Sequence, residues 1–335
     1  MMSVEEKAAQ YAAEIEAMRA EIGKVIVGQT ELVQNLLVSI FAGGHSLLEG
    51  MPGLGKTMLV RTISEALHLQ FARVQFTPDL MPSDITGTNI LAEDENGRRF
   101  FQFQPGPIFA SIILADEINR ATPKTQSAML EAMQEHSVTV SGVVRKLPEP
   151  FFVLATQNPI EQEGTYPLPE AQLDRFMMKL LVGFPTREDM SAILGRTTTT
   201  ADNHAQPVMN GEKMLEIKQF VREFPIAPHI QEFAVNMVLG THPDDENASS
   251  LVKQFVRYGS SPRGAQSLVL GGKVNALMNG RLHVSMDDIL QIVKPVLRHR
   301  IILNFEGEAE GIKPDVIIDE LTEKITAKNA SEAIV

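Results

Sequence analysis

The chain has 335 residues and a formal net charge of −12, with 42 acidic and 30 basic residues. It is long enough to bury a large core and to divide into two domains. The absence of cysteine excludes disulfides and thiolate metal sites. The acidic charge argues against a nucleic-acid partner, because such proteins neutralise phosphates with basic surfaces.

No apolar run approaches the length of about 18 residues that a membrane span needs, and the first 20 residues show no signal-peptide pattern. We therefore expect a cytoplasmic protein without membrane insertion. The chain begins with an amphipathic helix over Ser3 to Ile22. Gly28-Gln29-Thr30 then opens a second helix, with Thr30 as its predicted N-cap.

Residues 50–57, Gly-Met-Pro-Gly-Leu-Gly-Lys-Thr, fit the phosphate-loop pattern G-x-x-x-x-G-K-[ST]. A short buried strand is predicted before them and a helix over Met58 to Leu67 after them, which is the context that this motif requires. The glycines allow a tight turn whose N–H groups bind phosphate at a helix N-terminus. Lys56 would reach the β- and γ-phosphates, and the Thr57 hydroxyl would ligate Mg²⁺. The sequence therefore predicts a site for ATP.

An insertion follows in which Asn96-Gly97 predicts a tight turn between the arms Thr88 to Leu91 and Arg99 to Phe103. Phe101 and Phe103 would share one face of their strand. They would grip a client or a partner if exposed, and a core position is the favoured interpretation.

The apolar run Ile112 to Ala115 predicts a fully buried strand, and Asp116-Glu117 follows it. Ligands bind at such strand ends in open α/β sheets. Asp116 suits the Mg²⁺ shell, and Glu117 suits polarising the attacking water. Two adjacent acids could also cap a helix, but the phosphate loop upstream favours the catalytic interpretation.

A second hairpin is predicted at the Ser141-Gly142 turn, and a third core strand over Phe151 to Thr156. Asn158 follows that strand and could hold the γ-phosphate or the water, although Asn-Pro after a strand is also an ordinary turn. With predicted strands at 46–49, 72–76 and 179–184, the alternation with helices indicates a parallel sheet.

Pro185-Thr186 marks a domain boundary, because Thr186 to Asp189 has capping-box spacing and the pattern from there to Arg300 is helical. Arg263 follows Ser261-Pro262 at the start of one of these helices, where the residues alone favour an exposed first-turn arginine. The eight histidines show no ligand spacing, so any metal should arrive with the nucleotide.

Over roughly Val27 to Lys313 the sequence resembles the MoxR family of AAA+ ATPases. The resemblance rests on residues 50–57, Asp116-Glu117, the run Ala155-Thr156-Gln157-Asn158-Pro159, residues 167–176 (Pro-Leu-Pro-Glu-Ala-Gln-Leu-Asp-Arg-Phe) and Ser261-Pro262-Arg263. The run Pro169 to Phe176 is its most family-specific part. By resemblance Asn158 is sensor 1, Arg175 is the arginine finger and Arg263 is sensor 2. A local ion pair with Asp174 is the simpler interpretation of Arg175.

The resemblance implies an α/β fold with an AAA+ P-loop core and a parallel five-stranded sheet, followed by an all-α lid. The expected domains are an N-terminal helix (1–26), the nucleotide-binding domain (27–185) and the helical lid with a C-terminal segment (186–335). The expected catalytic residues are Glu117, Asn158 and Arg175, with Thr57 and Asp116 on Mg²⁺. The expected nucleotide contacts are Gly50, Pro52, Gly53, Leu54, Gly55, Lys56, Thr57, Met58, Asp116 and Arg263.

The resemblance further implies a homo-oligomeric ring, hexameric in this family, with ATP between subunits and Arg175 acting from the neighbour. Arg263 could act in cis or in trans. The output would be chaperone-like remodelling of a client protein, including cofactor or metal insertion. A partner with a von Willebrand factor A domain is expected to be a separate protein, because little sequence follows the lid. The two hairpins would face a pore or a client, or would be plain surface loops.

Two other functions stay open. The hairpin arrangement also resembles minichromosome-maintenance helicases, so a nucleic-acid motor is one alternative, which the acidic charge opposes. A nucleotide-gated scaffold with little turnover is the other, and the presence of Glu117 and Arg175 opposes it.

Overall fold

A computed structural model describes residues 2–159, 164–198 and 204–332. The first half contains α1 (Val4–Val25), α2 (Thr30–Ala42), β1 (Ser46–Glu49), α3 (Lys56–Ala66), β2 (Phe71–Gln75), α4 (Pro82–Thr86), β3 (Gly87–Glu93), β4 (Arg99–Pro105), β5 (Ile112–Asp116), α5 (Pro123–Glu135), β6 (Ser137–Val140), β7 (Val143–Lys146), β8 (Phe152–Gln157), α6 (Glu170–Leu173) and β9 (Met178–Leu181).

The second half contains α7 (Arg187–Thr197), α8 (Gly211–Glu223), α9 (Pro228–Leu239), α10 (Ser250–Phe255), β10 (Val256–Tyr258), α11 (Pro262–Met278), α12 (Met286–Leu290), α13 (Val293–Leu297), β11 (Ile302–Leu303), α14 (Phe305–Ala309) and α15 (Pro314–Glu332). Among the described residues, no helix is both long enough and apolar enough to cross a membrane.

The five predicted core strands form one parallel sheet in the order β2-β5-β8-β1-β9, which confirms the fold class. Every residue of β5 is buried, as is all of β8 except its last residue. This burial explains their continuous apolar sequences, because helices cover both faces of a parallel sheet. The carboxyl ends of β1, β5 and β8 lie side by side and gather their polar residues at one edge.

Thr186 forms the predicted capping box at the start of α7. Ser3 forms another at α1, where a helix but no capping box was predicted. The prediction of Thr30 as an N-cap was wrong: Gln29 occupies that position in the left-handed conformation, with φ of 50°, and Thr30 is the first helical residue. The chain turns through two consecutive left-handed residues, Gly28 and Gln29, so the helix begins one residue earlier than an N-cap at Thr30 would indicate.

The second half is helical as predicted, with one departure from an all-α lid. Strands β10 and β11 form a short antiparallel pair in which Val256 pairs with Leu303 and Tyr258 with Ile302. Two- and three-residue strands leave no alternating pattern long enough to detect in sequence. This pairing joins the segment that leads into α11 to the segment that leads into α14.

One hydrophobic cluster runs through the N-terminal helix, the sheet and the lid. Helix α1 contributes its buried face, including Ile15, Met18 and Ile22, to the same cluster as α11 and the sheet strands. The apolar face of α1 therefore has a packing role, and the predicted domain boundaries at 26/27 and 185/186 stay predictions.

Both predicted hairpins form, and they contact each other. Gly97 lies in a five-residue connection between β3 and β4, a longer loop than the predicted two-residue turn. Phe103 packs edge-on against Phe109 at 5.6 Å between ring centroids, and the Arg145 guanidinium of the second hairpin lies 3.7 Å from the Phe103 ring centroid. Phe101 is 77% exposed, so the favoured core interpretation was wrong for Phe101, which lies nearer the tip, beyond these contacts.

His45, immediately before β1, is buried and neutral. The Val153 N–H donates to its Nδ1 at 3.0 Å, so Nε2 carries the proton and donates to the Met133 carbonyl at 3.1 Å. Burial, the largest cause, lowers the pKa of His45 to about 4. A second proton would also place two N–H groups against each other at Nδ1.

Acidification is expected to weaken the fold through this ring. Because the unfolded chain takes up the His45 proton near pH 6.5 and the folded chain only near pH 4, stability is complete above the first value and falls between the two. His45→Gln supplies a donor and an acceptor but does not titrate. Between pH 7 and 5 its unfolding free energy should therefore fall by about 2 kcal/mol less than that of the wild type. Urea denaturation at both pH values measures this, and identical pH dependence would contradict it.

Candidate functional site

The phosphate loop joins the end of β1 to the start of α3. Gly53 and Gly55 have φ of 82° and 75°, conformations that favour glycine. A Cβ at either position would meet nothing within 4 Å, so this side of the loop is open to a ligand. A Cβ at Gly50 would instead lie 2.7 Å from Val182, because the loop packs closely against the end of β9. The three glycines therefore serve two purposes, ligand access and packing.

Lys56 is half-buried beneath the loop, where its Nζ donates to the Gly50 carbonyl at 2.5 Å. Burial lowers the pKa of Lys56, and the nearby carboxylates of Asp116 and Glu117 oppose the shift. A desolvated ammonium with one carbonyl partner gains strongly from a phosphate. Thr57 follows in the first turn of α3.

Asp116 lies at the carboxyl end of β5 and is only 8% exposed. Its Oδ2 pairs with Arg73 of β2 at 2.7 Å, and its Oδ1 accepts from the Thr156 hydroxyl at 2.7 Å. A buried carboxylate and the Thr57 hydroxyl are hard oxygen donors of the kind that Mg²⁺ prefers, so the donor set fits this ion. Arg73 balances the carboxylate in the structure and is a residue that the sequence analysis missed.

Glu117 has φ of 55°, which turns its carboxylate away from the strand direction. Its Oε2 accepts from Gln75 at 2.8 Å and from Arg120 at 3.0 Å, and its own N–H donates to Thr156 at 2.8 Å. It precedes a 3₁₀ turn but caps it with no side-chain hydrogen bond. The helix-capping alternative for these acids is therefore not realised.

Asn158 follows β8 and is 6% exposed. The Gly50 N–H donates to the carbonyl of Gln157 at 3.3 Å, so the residue before Asn158 contacts the first residue of the loop. The fold thus gathers residues 50–58, Asp116, Glu117 and Asn158 at the carboxyl end of the sheet. Their assignment to nucleotide chemistry stays a prediction.

An apolar cavity of about 400 Å³ adjoins the phosphate loop. Pro52, Gly53, Leu54, Gly55 and Met58 line one side, and Ile26, Val27, Phe184, Met190 and Ile193 line the other. The volume and apolar walls suit a nucleobase. The sequence analysis missed the second set, because its members come from separate segments whose apolar residues look like ordinary packing positions.

Arg175 and Arg263 lie together at the other end of the sheet. Both line a cavity of about 190 Å³ that also includes Gly43, Gly44 and Arg300. Gly44 stands before β1 and Gly50 after it, so roughly 20 Å of extended chain separates this cavity from the phosphate loop. The structure therefore divides the predicted site residues into two groups, and the two arginines are remote from the loop of their own chain.

Arg175 does not form the predicted local alternative. Its Nη1 donates to the Leu130 carbonyl at 2.8 Å, whereas Asp174 forms ion pairs with Arg263 at 3.4 Å and Arg300 at 2.9 Å. The Arg263 side chain is 45% exposed, and Ser261 caps its helix as the Ser-Pro pattern predicts. Arg300 is a further residue that the sequence analysis missed.

Lys56→Ala is expected to weaken ATP binding by about 10- to 100-fold or more, because a charged hydrogen bond contributes about 1.5–3 kcal/mol. Titration with a fluorescent ATP analogue measures the loss. Lys7→Ala, on the exposed face of α1, is the matched control and should bind normally. Unchanged affinity in Lys56→Ala would contradict the phosphate-loop assignment.

Two family models match this chain. Residues 45–178 match the ATPase family associated with various cellular activities (AAA), and residues 248–321 match an AAA lid domain. The first match spans four of the five sheet strands and the first residue of β9, together with Arg175 and the residues gathered at the carboxyl end of the sheet. The second spans the lid segment from α10 into α15.

Several relatives match nearly the whole chain. The protein named Chaperone MoxR1 of Mycobacterium tuberculosis is 39% identical over 91% of this chain and 80% of its own length. Protein MoxR of Methylorubrum extorquens is 31% identical over 89% and 90%. A crystal structure of a Cytophaga hutchinsonii protein is 42% identical, with a TM-score of 0.89 over 96% of both chains.

Proposed function

The chain belongs to the MoxR family of AAA+ ATPases, and from that membership we propose that it hydrolyses ATP in a ring of identical subunits to remodel a client protein. The ring is hexameric by resemblance to the family. The M. tuberculosis relative carries the name chaperone, which supports the remodelling role.

The proposed hydrolysis uses the group at the carboxyl end of the sheet. The loop N–H groups and Lys56 bind the phosphates, and the apolar cavity beside Leu54 and Phe184 takes the base. Thr57 and Asp116 would hold Mg²⁺, which supplies positive charge to the β- and γ-phosphates. Glu117 polarises the attacking water once its carboxylate leaves Gln75 and Arg120, and Asn158 orients the water or the γ-phosphate.

The separation of the two residue groups is the observation that carries the ring proposal. A transition state that spreads charge over the γ-phosphate oxygens gains from an arginine in addition to Lys56 and Mg²⁺, yet roughly 20 Å of extended chain separates the cavity that Arg175 lines from its own loop. A head-to-tail contact would bring the surface that carries Arg175 and Arg263, the arginine face, of one subunit to the phosphate loop of the next. Repetition of this contact gives a ring when the rotation between subunits closes. Arg263 shares the cavity of Arg175, which supports its action in trans as well.

The proposed client surface is the pair of hairpins. Their exposed apolar side chains, Ile90, Leu91, Phe100, Phe101, Val143 and Val144, would contact a polypeptide client. The family resemblance supports a finer proposal, in which the ring matures the client by insertion of a cofactor or metal. A separate protein with a von Willebrand factor A domain would assist.

The dependence of activity on protein concentration tests the proposed function. Specific ATPase activity with Mg²⁺ should rise steeply over the concentrations at which sedimentation shows assembly. Arg19→Ala, in an exposed ion pair with Glu16 on α1, should follow the wild-type curve. A specific activity that is constant from monomer to oligomer would overturn the shared-site proposal.

A further inference from the structure

Asp174 lies immediately before Arg175, and its carboxylate collects three donors from the lid. Oδ1 accepts from Arg300 Nε at 2.9 Å, and the Ser261 hydroxyl lies 2.8 and 2.9 Å from the two oxygens. Oδ2 also pairs with Arg263 Nη1 at 3.4 Å. One carboxylate thus joins the segment that carries Arg175 to the helix start that carries Arg263.

Arg300 is the buried member of this cluster, with its side chain only 2% exposed. Besides Asp174 Oδ1, its guanidinium donates to the carbonyls of Phe176 at 2.7 Å, Met177 at 3.1 Å and Val296. Burial lowers the pKa of Arg300 to about 10, and Asp174 opposes the shift, so the group stays charged at neutral pH. A buried charge is retained only when it is paired and hydrogen-bonded, as this one is.

The two residues before Arg300 in the chain donate to the segment that leads into β9 and to β9 itself. His299 Nε2 donates to the Phe176 carbonyl at 3.0 Å, and Arg298 Nη1 donates to the Lys179 carbonyl at 3.2 Å. Three consecutive lid residues therefore hold the backbone of residues 174–179. These hydrogen bonds join the lid to the segment of residues 174–179 that contains Arg175.

We propose that Asp174 and Arg300 are positioning residues that hold Arg175 and Arg263 as one two-arginine unit for the γ-phosphate bound by the neighbouring subunit. The inference rests on the proposed function, because it requires both arginines to act in trans. Neither Asp174 nor Arg300 touches the nucleotide.

The strengths of the two ion pairs at Asp174 fit this role. The Arg263 pair is long and the Arg263 side chain is 45% exposed, so the pair contributes little and can be exchanged for a phosphate. The Arg300 pair is buried, and breaking it leaves an uncompensated charge, so it persists. Asp174 therefore keeps Arg263 near Arg175 before the nucleotide arrives and remains anchored afterwards.

Complementation between two inactive variants tests the inference. Asp174→Asn should lower kcat by about 10²-fold, the cost of a displacement near 1 Å, while ATP binding at its own loop is unchanged. Lys56→Ala is inactive because of its loop but presents an intact arginine face. An equimolar co-assembled mixture should regain roughly a quarter of wild-type activity, because one junction in four pairs an intact loop with an intact face.

The control mixture is Lys56→Ala with Arg175→Ala. If the control regains activity and the Asp174→Asn mixture does not, the inference is overturned and the proposed function stands. If neither mixture regains activity, the shared site itself fails, and the inference with it. Wild-type kcat in Asp174→Asn alone would also overturn the inference.

A milder variant covers the case in which Asp174→Asn does not fold. Ser261→Gly removes one donor from Asp174, leaves the Asp174–Arg300 pair intact and costs the N-cap only a few tenths of a kcal/mol. Its kcat should fall without a change in its own ATP affinity, and mixing it with Lys56→Ala should raise activity above the sum of the two. Unchanged kcat, or no gain on mixing, would overturn the inference.

Discussion

Arg175→Ala is expected to lower kcat for ATP hydrolysis by about 10³-fold or more while leaving ATP affinity unchanged, because an arginine finger from a neighbour contributes about 10³ to 10⁵ in rate. Affinity should be preserved because Arg175 lines the cavity roughly 20 Å from its own phosphate loop. Single-turnover hydrolysis and equilibrium binding of an ATP analogue measure the two quantities separately.

The structure also bounds the side effect of this substitution. Arg175 loses one hydrogen bond, to the Leu130 carbonyl, which costs about 1 kcal/mol of stability. Arg19→Ala is the matched control and should keep wild-type kcat. Full turnover by an assembled Arg175→Ala ring would remove the trans assignment, and a large loss of ATP affinity in the unassembled subunit would indicate action in cis.

Glu117→Gln is expected to bind ATP and to lower kcat by about 10²- to 10⁴-fold, the usual contribution of a general base. The glutamine has the shape of the glutamate and can still accept a hydrogen bond from Gln75 or Arg120. The fold around Asp116 and Thr156 should therefore be preserved. Rapid quench with radiolabelled ATP measures the step, and the assembled ring should retain uncleaved ATP.

Glu131→Gln is the control for this substitution, because Glu131 is an exposed carboxylate on α5 and its replacement changes the net charge by the same amount. It should hydrolyse ATP normally. Rapid hydrolysis by Glu117→Gln would show that another group activates the water. Loss of ATP binding in that variant would instead show that Glu117 holds the nucleotide or its metal.

Most of the sheet could be predicted from sequence because its signals are local. The run Ile112 to Ala115 is apolar throughout, as a strand buried on both faces must be, and the residues after it necessarily reach the carboxyl edge. The phosphate loop needs its own glycines and the helix that follows. Two predictions failed for different reasons: two left-handed residues moved the helix start at Thr30, and the hairpin extends Phe101 beyond the contacts that cover Phe103.

The α/β core, the helical character of the second half and the polar residues at the strand ends can all be predicted from the sequence, because periodicity and motif spacing are properties of neighbouring residues. The fold alone brings Arg175 and Arg263 to one cavity far from the loop and pairs Arg300 with Asp174 across 126 positions of chain. Such contacts arise when the lid packs on the sheet. No local pattern records them, because both partners look like ordinary surface charges until packing buries one of them.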